Sequence, residues 1–318
     1  MTNIVNHIKI SVAICTYNGE KRLPEVLEAL SAQEGIEQGE WEILLIDNVS
    51  TDETRKVFAR FAQKHPEILC RYVYEPVPGT NAARLRAIEK AFGAWICFVD
   101  DDNILDKQYL STALRFTSDK SNIGAFGGRS EARLEVPAPQ WFSAIKSGLA
   151  IYDVVEESRQ LKIGERSFTA GLVVNTEVAR QVASEIWIMT GRSKGFPIAG
   201  EDFELCLKIS RLHKEIWYVP GLLFIHVIPE NRLELKYLRE LFATFGATYL
   251  LLYPVYFPCW NSRLLTMFKI ISGAVLKIPV LSVLSIVISK KKWTFAKGIW
   301  AYTGIIKYSG FALKRLMF

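Results

Sequence analysis

The sequence predicts an α/β fold, a mostly parallel sheet with helices on both faces, followed by an apolar helical tail. Three observations predict it. Short apolar runs that read as buried strands alternate with segments of helical periodicity over the first half. Each of those runs ends in polar side chains, and parallel sheets bind ligands beyond their carboxyl ends. Finally, no acidic residue follows Glu240, whereas ten basic side chains do. That charge shift predicts two regions, residues 1–240 and a basic, apolar helical region over residues 241–318.

The elements follow in order. Residues 8–15, IKISVAIC, form the first expected strand. Residues 22–33 have helical spacing, with Leu23, Val26, Leu27 and Leu30 on one face. Residues 41–46 are a second buried strand. A helix over 51–64 is expected to be capped by Ser50 or Thr51, with Asp52 and Glu53 in its first turn. Residues 69–74 are a third strand. The helix over 80–92 is closed by Gly93, and Gly79 before it permits a tight turn. Residues 94–99 are the fourth strand and 106–117 the next helix. Later, Glu201 and Asp202 open a helix in GEDFELCLKI, and residues 215–229 read as two short strands.

Polar residues cluster at the strand ends: Thr16-Tyr17-Asn18, Asp47-Asn48, Glu75-Pro76 and Asp100-Asp101-Asp102. The sheet collects them along one rim, which favours a ligand cleft over isolated helix caps. The run FVDDDNI, residues 98–104, is the strongest signal. Carboxylates at the end of a buried strand are costly unless paired, and hard divalent cations take oxygen ligands. Mg²⁺ or Mn²⁺ held by few carboxylates usually also grips a phosphate. A solvated acidic turn before the next helix is the plainer reading.

Other classes are disfavoured. No G-x-G-x-x-G follows the first strand, and no G-x-x-x-x-G-K-[ST] occurs. This argues against a dinucleotide dehydrogenase and a P-loop nucleotidase. The five cysteines are scattered without metal-ligand spacing and read as buried thiols of a reducing compartment. The start, MTNIVNHIKISVAIC, lacks the pattern of a secretory signal. No nucleic-acid partner is expected.

Together, SVAICTYN, LLIDNVSTDET, PGTNAARLRAI, FVDDDN and AGEDFELCLKI resemble family 2 glycosyltransferases of bacterial surface-polysaccharide type, which have the GT-A fold. The resemblance runs from about residue 8 to about residue 232. It implies transfer of a sugar from a nucleotide diphosphate with inversion at the anomeric carbon. It places Thr16, Tyr17, Asn18, Glu20, Asp47, Arg84, Asp100 and Asp101 at the nucleotide. Tyr17 would stack on the base, Asp47 would bond it, and Asp101 would face the ribose. Asp102 would be the metal ligand of a D-x-D motif that begins at Asp100. A cation there neutralises charge on the departing diphosphate. Arg84 or Arg86 would approach the diphosphate, or either would be a solvated helix cation.

Asp202 matches the family's general base and Glu201 a residue orienting the acceptor; acids at a helix N-terminus also simply complement its dipole. His226 would be a metal or phosphate ligand, or a satisfied core histidine. Ala170 and Gly171 would let the sugar come close, although Asn175 stands where many relatives have arginine. Arg192 and Lys194 lie on a Gly-rich segment that would close over the site. Trp141 would floor an acceptor site. The Q-x-x-R-W motif of processive synthases does not occur, which favours single addition.

The tail contains an apolar run, 264–289, with the length of a membrane span. Lys277 near its middle costs roughly 2.5–3.5 kcal/mol in a bilayer. Thr266, Lys269, Ser272 and Lys277 recur at helical spacing, the pattern of a helix lying in an anionic membrane surface. The expectation is attachment at the cytoplasmic face of the cell membrane, peripheral or monotopic, with a single span as the alternative. Such an address suggests a polyprenyl-linked glycan acceptor. The competing readings are a helical packing domain or dimer interface, and a protein that kept the fold without the chemistry.

Overall fold

The structure, a computed structural model, describes residues 7–118, 120–152, 156–163, 165, 168–191, 198–257, 262–287 and 292–316. The chain divides into two compact units. The first comprises 1–133, 150–193 and 201–227; the second comprises 134–149, 194–200 and 228–318.

The first unit is built on a sheet of nine described strands. Strand β1 (Ile10–Thr16) lies between β2 (Trp41–Asp47) and β4 (Trp95–Asp100), parallel to both, and β2 pairs in parallel with β3 (Leu69–Tyr74). Beyond β4 the sheet turns antiparallel, through β8 (Val173–Asn175), β6 (Ile123–Leu134), β9 (Glu215–Ile228) and β5 (Asn103–Leu105). The two-residue β7 (Arg159–Gln160) pairs with β9.

Helices cover both faces, so the inner strands read as continuous apolar runs. The period of two survives beneath that appearance. Ile10, Val12 and Ile14 pack on one face with Leu23, Val26, Leu27 and Leu30 of α1 (Leu23–Ser31). The same cluster takes Phe58 and Phe61 from α2 (Thr54–Lys64) and Leu110 from α4 (Tyr109–Thr117). Ala13 points to the opposite face, where Ala83, Ala87 and Ile88 of α3 (Thr80–Lys90) lie. Val178 and Val182 of α6 (Thr176–Ala183), with Leu205 and Ile209 of α7 (Glu201–Arg211), complete that cluster.

Three local expectations are corrected. Helix α2 starts at Thr54, not at residue 51. Ser50 Oγ accepts the Asn18 amide and the Thr51 amide donates to Asn18 Oδ1, so these residues serve a loop rather than a cap. Helix α3 ends at Lys90, and Ala91 is already extended. Gly93 is required for close approach instead: a Cβ there would lie 2.5 Å from the Ser11 nitrogen. Residues 215–228 form one strand, not two. Pro220, which has no N–H, falls between the ladder to β7 at Trp217–Tyr218 and the ladder to β5 at Phe224–His226.

The second unit is helical. It contains α5 (Phe142–Ile145), α8 (Leu235–Tyr256), α9 (Arg263–Val287) and α10 (Lys292–Leu316). The composition boundary near 240 falls inside α8, whose first turns still carry Lys236, Arg239 and Glu240. Charge marks a change of surface there, not a break in the chain. Helices α8 and α10 meet backbone to backbone. A Cβ on Gly246 would overlap the Ala301 carbonyl, and one on Gly304 would overlap that of Ala243. Helix α9 is long and apolar enough to cross a membrane over Arg263–Ser285. Leu264, Leu265, Phe268, Val275, Leu276, Val280 and Val283 are exposed on it.

Candidate active site

Strand register brings the polar ends together. Thr16 is level with Asp47, Cys15 with Asp100, and Asp47 with Tyr74. The loops after β1 and β2 are bonded to each other. The Gly19 amide donates to Thr54 Oγ1, the Glu20 amide to Asp52 Oδ2, and the Glu53 amide to Glu20 Oε2. Asn18 and Val49 both adopt positive φ, at 50° and 60°. For the β-branched Val49 this is a strained conformation of the kind concentrated at functional sites.

Asp47 is buried, yet both oxygens are engaged. Oδ1 accepts the Ser50 amide at 2.9 Å and Oδ2 accepts the Tyr72 hydroxyl at 2.7 Å. Burial, and then that bond to Asp47, push the Tyr72 phenol up to about 12. Tyr17, 57% exposed, stands open at the same rim. Asp101 is held by Thr16 Oγ1 at 2.5 Å and by both Nε and Nη2 of Arg22, at 2.9 and 2.8 Å. Arg22 also donates to the Tyr17 carbonyl. Sequence reasoning missed Arg22 and Tyr72, because their partners lie far along the chain.

Asn103, fully buried, organises the acidic run. Its Oδ1 accepts the Asp100 amide and its Nδ2 donates to Asp102 Oδ1. Asn103 is also the register partner of His226 on β9. His226 Nε2 thereby comes within 3.6 Å of Asp102 Oδ1, both side chains being buried. Burial raises the Asp100 carboxyl to about 6; Arg84 opposes this, the Asp102 charge adds to it, and His226 lowers it.

Of the two candidate arginines, Arg84 faces this site and Arg86 does not. Arg86 pairs with Glu75 and Glu89. Arg84, only 9% exposed, places Nη1 2.8 Å from Glu201 Oε1 and Nη2 3.8 Å from Asp100 Oδ1. Glu201 and Asp202 do open a helix. Glu201 is buried, whereas Asp202 is partly exposed and accepts the Phe203 amide. Glu204, fully buried, receives the Ile188 and Met189 amides and so ties α7 to the preceding segment.

Three expected residues lie in tightly packed surroundings. Ala170 is buried within an apolar cluster. Gly171, at φ 70°, has a Cβ position 2.7 Å from Tyr109 Oη and 2.9 Å from the Phe224 ring. Packing and backbone angle are by themselves sufficient reason for small residues at these positions. Trp141 belongs to the second unit, where its ring packs against Trp293 at 6.2 Å and is nine-tenths buried. Arg192 and Lys194 lie outside the described residues.

Among the described residues, no group of three or more His, Cys, Asp or Glu side chains is arranged to enclose a metal. Asp102 with His226, and Asp100 beside them, make a partial, oxygen-rich set. Mg²⁺ and Mn²⁺ suit such a set when phosphate and water supply the other positions.

The mixed sheet with helices on both faces has the GT-A fold of solved glycosyltransferase structures. A mannosyltransferase from Pyrobaculum calidifontis, PcManGT, solved with GDP-Man and Mn²⁺, superposes with a TM-score of 0.60 at 16% identity. It covers 94% of this chain and 86% of its own. Residues 1–349 of Staphylococcus aureus TarS, solved with UDP, give 0.53 at 18% identity, covering 76% and 66%. Residues 11–172 match the family model described as Glycosyl transferase family 2, and the chain belongs to that family. Among sequence relatives, the poly(ribitol-phosphate) beta-N-acetylglucosaminyltransferase TarS of S. aureus is 30% identical over 109 residues. That match covers 34% of this chain and 19% of TarS, so the chain spans about a fifth of that relative. The succinoglycan biosynthesis protein ExoM of Rhizobium meliloti is 22% identical over 236 residues, covering 73% of this chain and 71% of ExoM.

Proposed function

We propose that this protein is an inverting glycosyltransferase that moves a sugar from a nucleotide diphosphate to a hydroxyl of a lipid-linked glycan in surface-polysaccharide assembly. The observation that carries the reading is one rim holding Asp47, Asp101, Asp102 and the Glu201–Asp202 helix start within a single unit. The base of the nucleotide lies against the exposed Tyr17 ring and donates an N–H to Asp47. The ribose hydroxyls meet Asp101, whose carboxylate Arg22 and Thr16 hold in place.

Asp102 and His226 would hold a divalent cation, which when bound offsets the negative charge of the departing nucleoside diphosphate. Asp202 takes the proton of the acceptor hydroxyl as its oxygen bonds the anomeric carbon. The carbon–oxygen bond to the diphosphate breaks on the opposite face, which inverts the configuration. Names such as those of TarS and ExoM support a polysaccharide product. The basic, acid-free tail and the apolar face of α9 support residence at the cytoplasmic face of the membrane, and residues 1–240 would carry the chemistry.

The decisive experiment is a thermal-shift panel with UDP, GDP and dTDP, each with and without Mn²⁺ or Mg²⁺. A metal-dependent rise with one nucleotide is expected. No rise in folded protein would favour a degenerate transferase whose role lies in its tail. For the membrane, Leu276→Glu with Val280→Glu alters only exposed positions. It should reduce co-sedimentation with phosphatidylglycerol vesicles; equal binding by the variant would remove the assignment of this face.

A further inference from the structure

We infer that Arg84 is a positioning residue that ties the start of the base-bearing helix to the acidic rim, rather than a ligand of the donor diphosphate. The inference rests on the glycosyltransferase reading and changes the part played by one residue in it. Arg84 lies on the second turn of α3, and its guanidinium is nine-tenths buried. One end bonds Glu201, the first residue of α7, at 2.8 Å. The other end faces Asp100, the last residue of β4, at 3.8 Å. Cys15, at the register position of Asp100, and Asp202 are further titratable groups acting on it among the described residues.

The geometry makes one planar cation common to two carboxylates from different elements. A guanidinium does this with its fixed fork, whereas an ammonium acts at one point. A buried guanidinium already engaged on both sides has to break a charged contact before it can turn to a phosphate, and the Glu201 carboxylate would then be left buried without this partner. Holding the contact instead fixes Glu201. Asp202 follows it in the first turn of the same helix, so its carboxylate is set relative to the donor rim. Misplacing a base by about 1 Å is enough to cost on the order of a hundredfold in rate.

The test uses the full chain with Arg84→Met, Arg84→Lys, Glu201→Gln and the Arg84→Met/Glu201→Gln pair. Two quantities are measured for each. One is the affinity for UDP and GDP with Mn²⁺, by calorimetry. The other is nucleoside diphosphate release from UDP-GlcNAc and GDP-mannose, with kcat and KM resolved. Arg84→Met should keep nucleotide affinity within about threefold of wild type while kcat falls by about a hundredfold. Arg84→Lys should recover thermal stability but little of kcat, since a point charge holds one carboxylate only. The double variant should melt above Arg84→Met, because the second change removes a buried charge that has lost its Arg84 contact.

Loss of nucleotide affinity equal to the loss of turnover in Arg84→Met would overturn the inference and make Arg84 a donor ligand. Additive melting changes in the cycle of wild type, Arg84→Met, Glu201→Gln and the pair would overturn it as well. The two levels of failure are distinct. Coupled melting without nucleotide binding or turnover in wild type defeats the glycosyltransferase reading. Turnover without coupling defeats only the role of Arg84.

Discussion

Asp47→Asn separates a recognition residue from a structural one. Asp47 is only 3% exposed and receives two bonds, from the Ser50 amide and the Tyr72 hydroxyl. Asparagine can retain both. Its oxygen faces the amide, which only donates, and the tyrosine hydroxyl rotates to accept from the new NH₂. Each bond changes from charge-assisted to neutral, which costs about 1 kcal/mol, or about 2 kcal/mol in total. For a unit of this size that lowers Tm by roughly 4–8 °C. Binding should suffer separately. A base presenting an N–H, as uracil, thymine and guanine do, would meet a donor where an acceptor stood. Losing one such bond is worth about 1.5–3 kcal/mol, or roughly tenfold to a hundredfold in Kd. The assay is calorimetric titration with UDP, GDP and dTDP beside thermal melting. Tyr72→Phe is the control: it leaves both carboxylate oxygens and should weaken binding less. If Asp47→Asn melts as calculated but binds the nucleotide within about twofold of wild type, then Asp47 is only the clamp of the 47–50 turn.

Further outcomes follow from other contacts. Asp202→Asn should lower kcat by about 10²–10⁴ with nucleotide affinity unchanged; unchanged turnover would remove it as the base. Gly304→Ala places a methyl against the Ala243 carbonyl, an overpacking cost of about 1–3 kcal/mol that exceeds the roughly 1 kcal/mol gain in helix propensity. Gly273→Ala, with nothing within 4 Å, should gain about 0.8–1.0 kcal/mol, so the two variants should shift melting in opposite directions. Burial pushes the Cys15 thiol up to about 12, Arg84 only partly opposing it, and the Cys70 thiol up to about 11. Both shifts are upward, so thiolate is scarce at pH 8. Iodoacetamide should then label Cys15 about a thousandfold more slowly in folded than in denatured protein, and rapid labelling of the native chain would contradict the burial argument.

What was legible in the sequence had a local signature. Of the four parallel strands, β1, β2 and β4 were visible as apolar runs buried on both faces, while β3 is only half-buried, and the acids after β4 stood out because charge at such a place needs a partner. The helix start at Glu201 was visible from spacing alone. Partners distant along the chain left no such trace. Arg22 reads as an ordinary residue before a helix until its fork is found on Asp101, and Tyr72 as one more strand aromatic until its hydroxyl is found on Asp47. Asn103 looked like the polar end of a motif, yet it is the buried amide that shapes the motif. Residues 215–228 form one strand rather than two, and Pro220 falls where that strand changes partners. In the tail the helices were evident, but not the contact of Gly246 and Gly304, which two glycines 58 positions apart do not announce.

The contacts also bear on which acid acts as base. A base must reach an attacking hydroxyl, so exposure separates these acids. Asp47 and Asp101 each have both oxygens bonded by protein donors, an arrangement suited to fixed recognition. Asp100 is driven towards its neutral form by burial, and Glu201 is buried against Arg84. Asp102 shares its surroundings with His226 and Asn103, which suits a ligand of a hard cation better than a group that must face an acceptor. Asp202 differs from all of these. It is partly exposed, and it stands in the first turn of α7, where the helix dipole complements negative charge. Glu204 and Lys208 anchor that helix from below through Met189 and Glu185, so the first turn is held by buried contacts on the side away from the rim. A rigid helix presenting one accessible carboxylate is what base catalysis at a carbon centre requires. On the proposed mechanism the two acids at this helix start would divide the work, Glu201 holding the geometry and Asp202 receiving the proton.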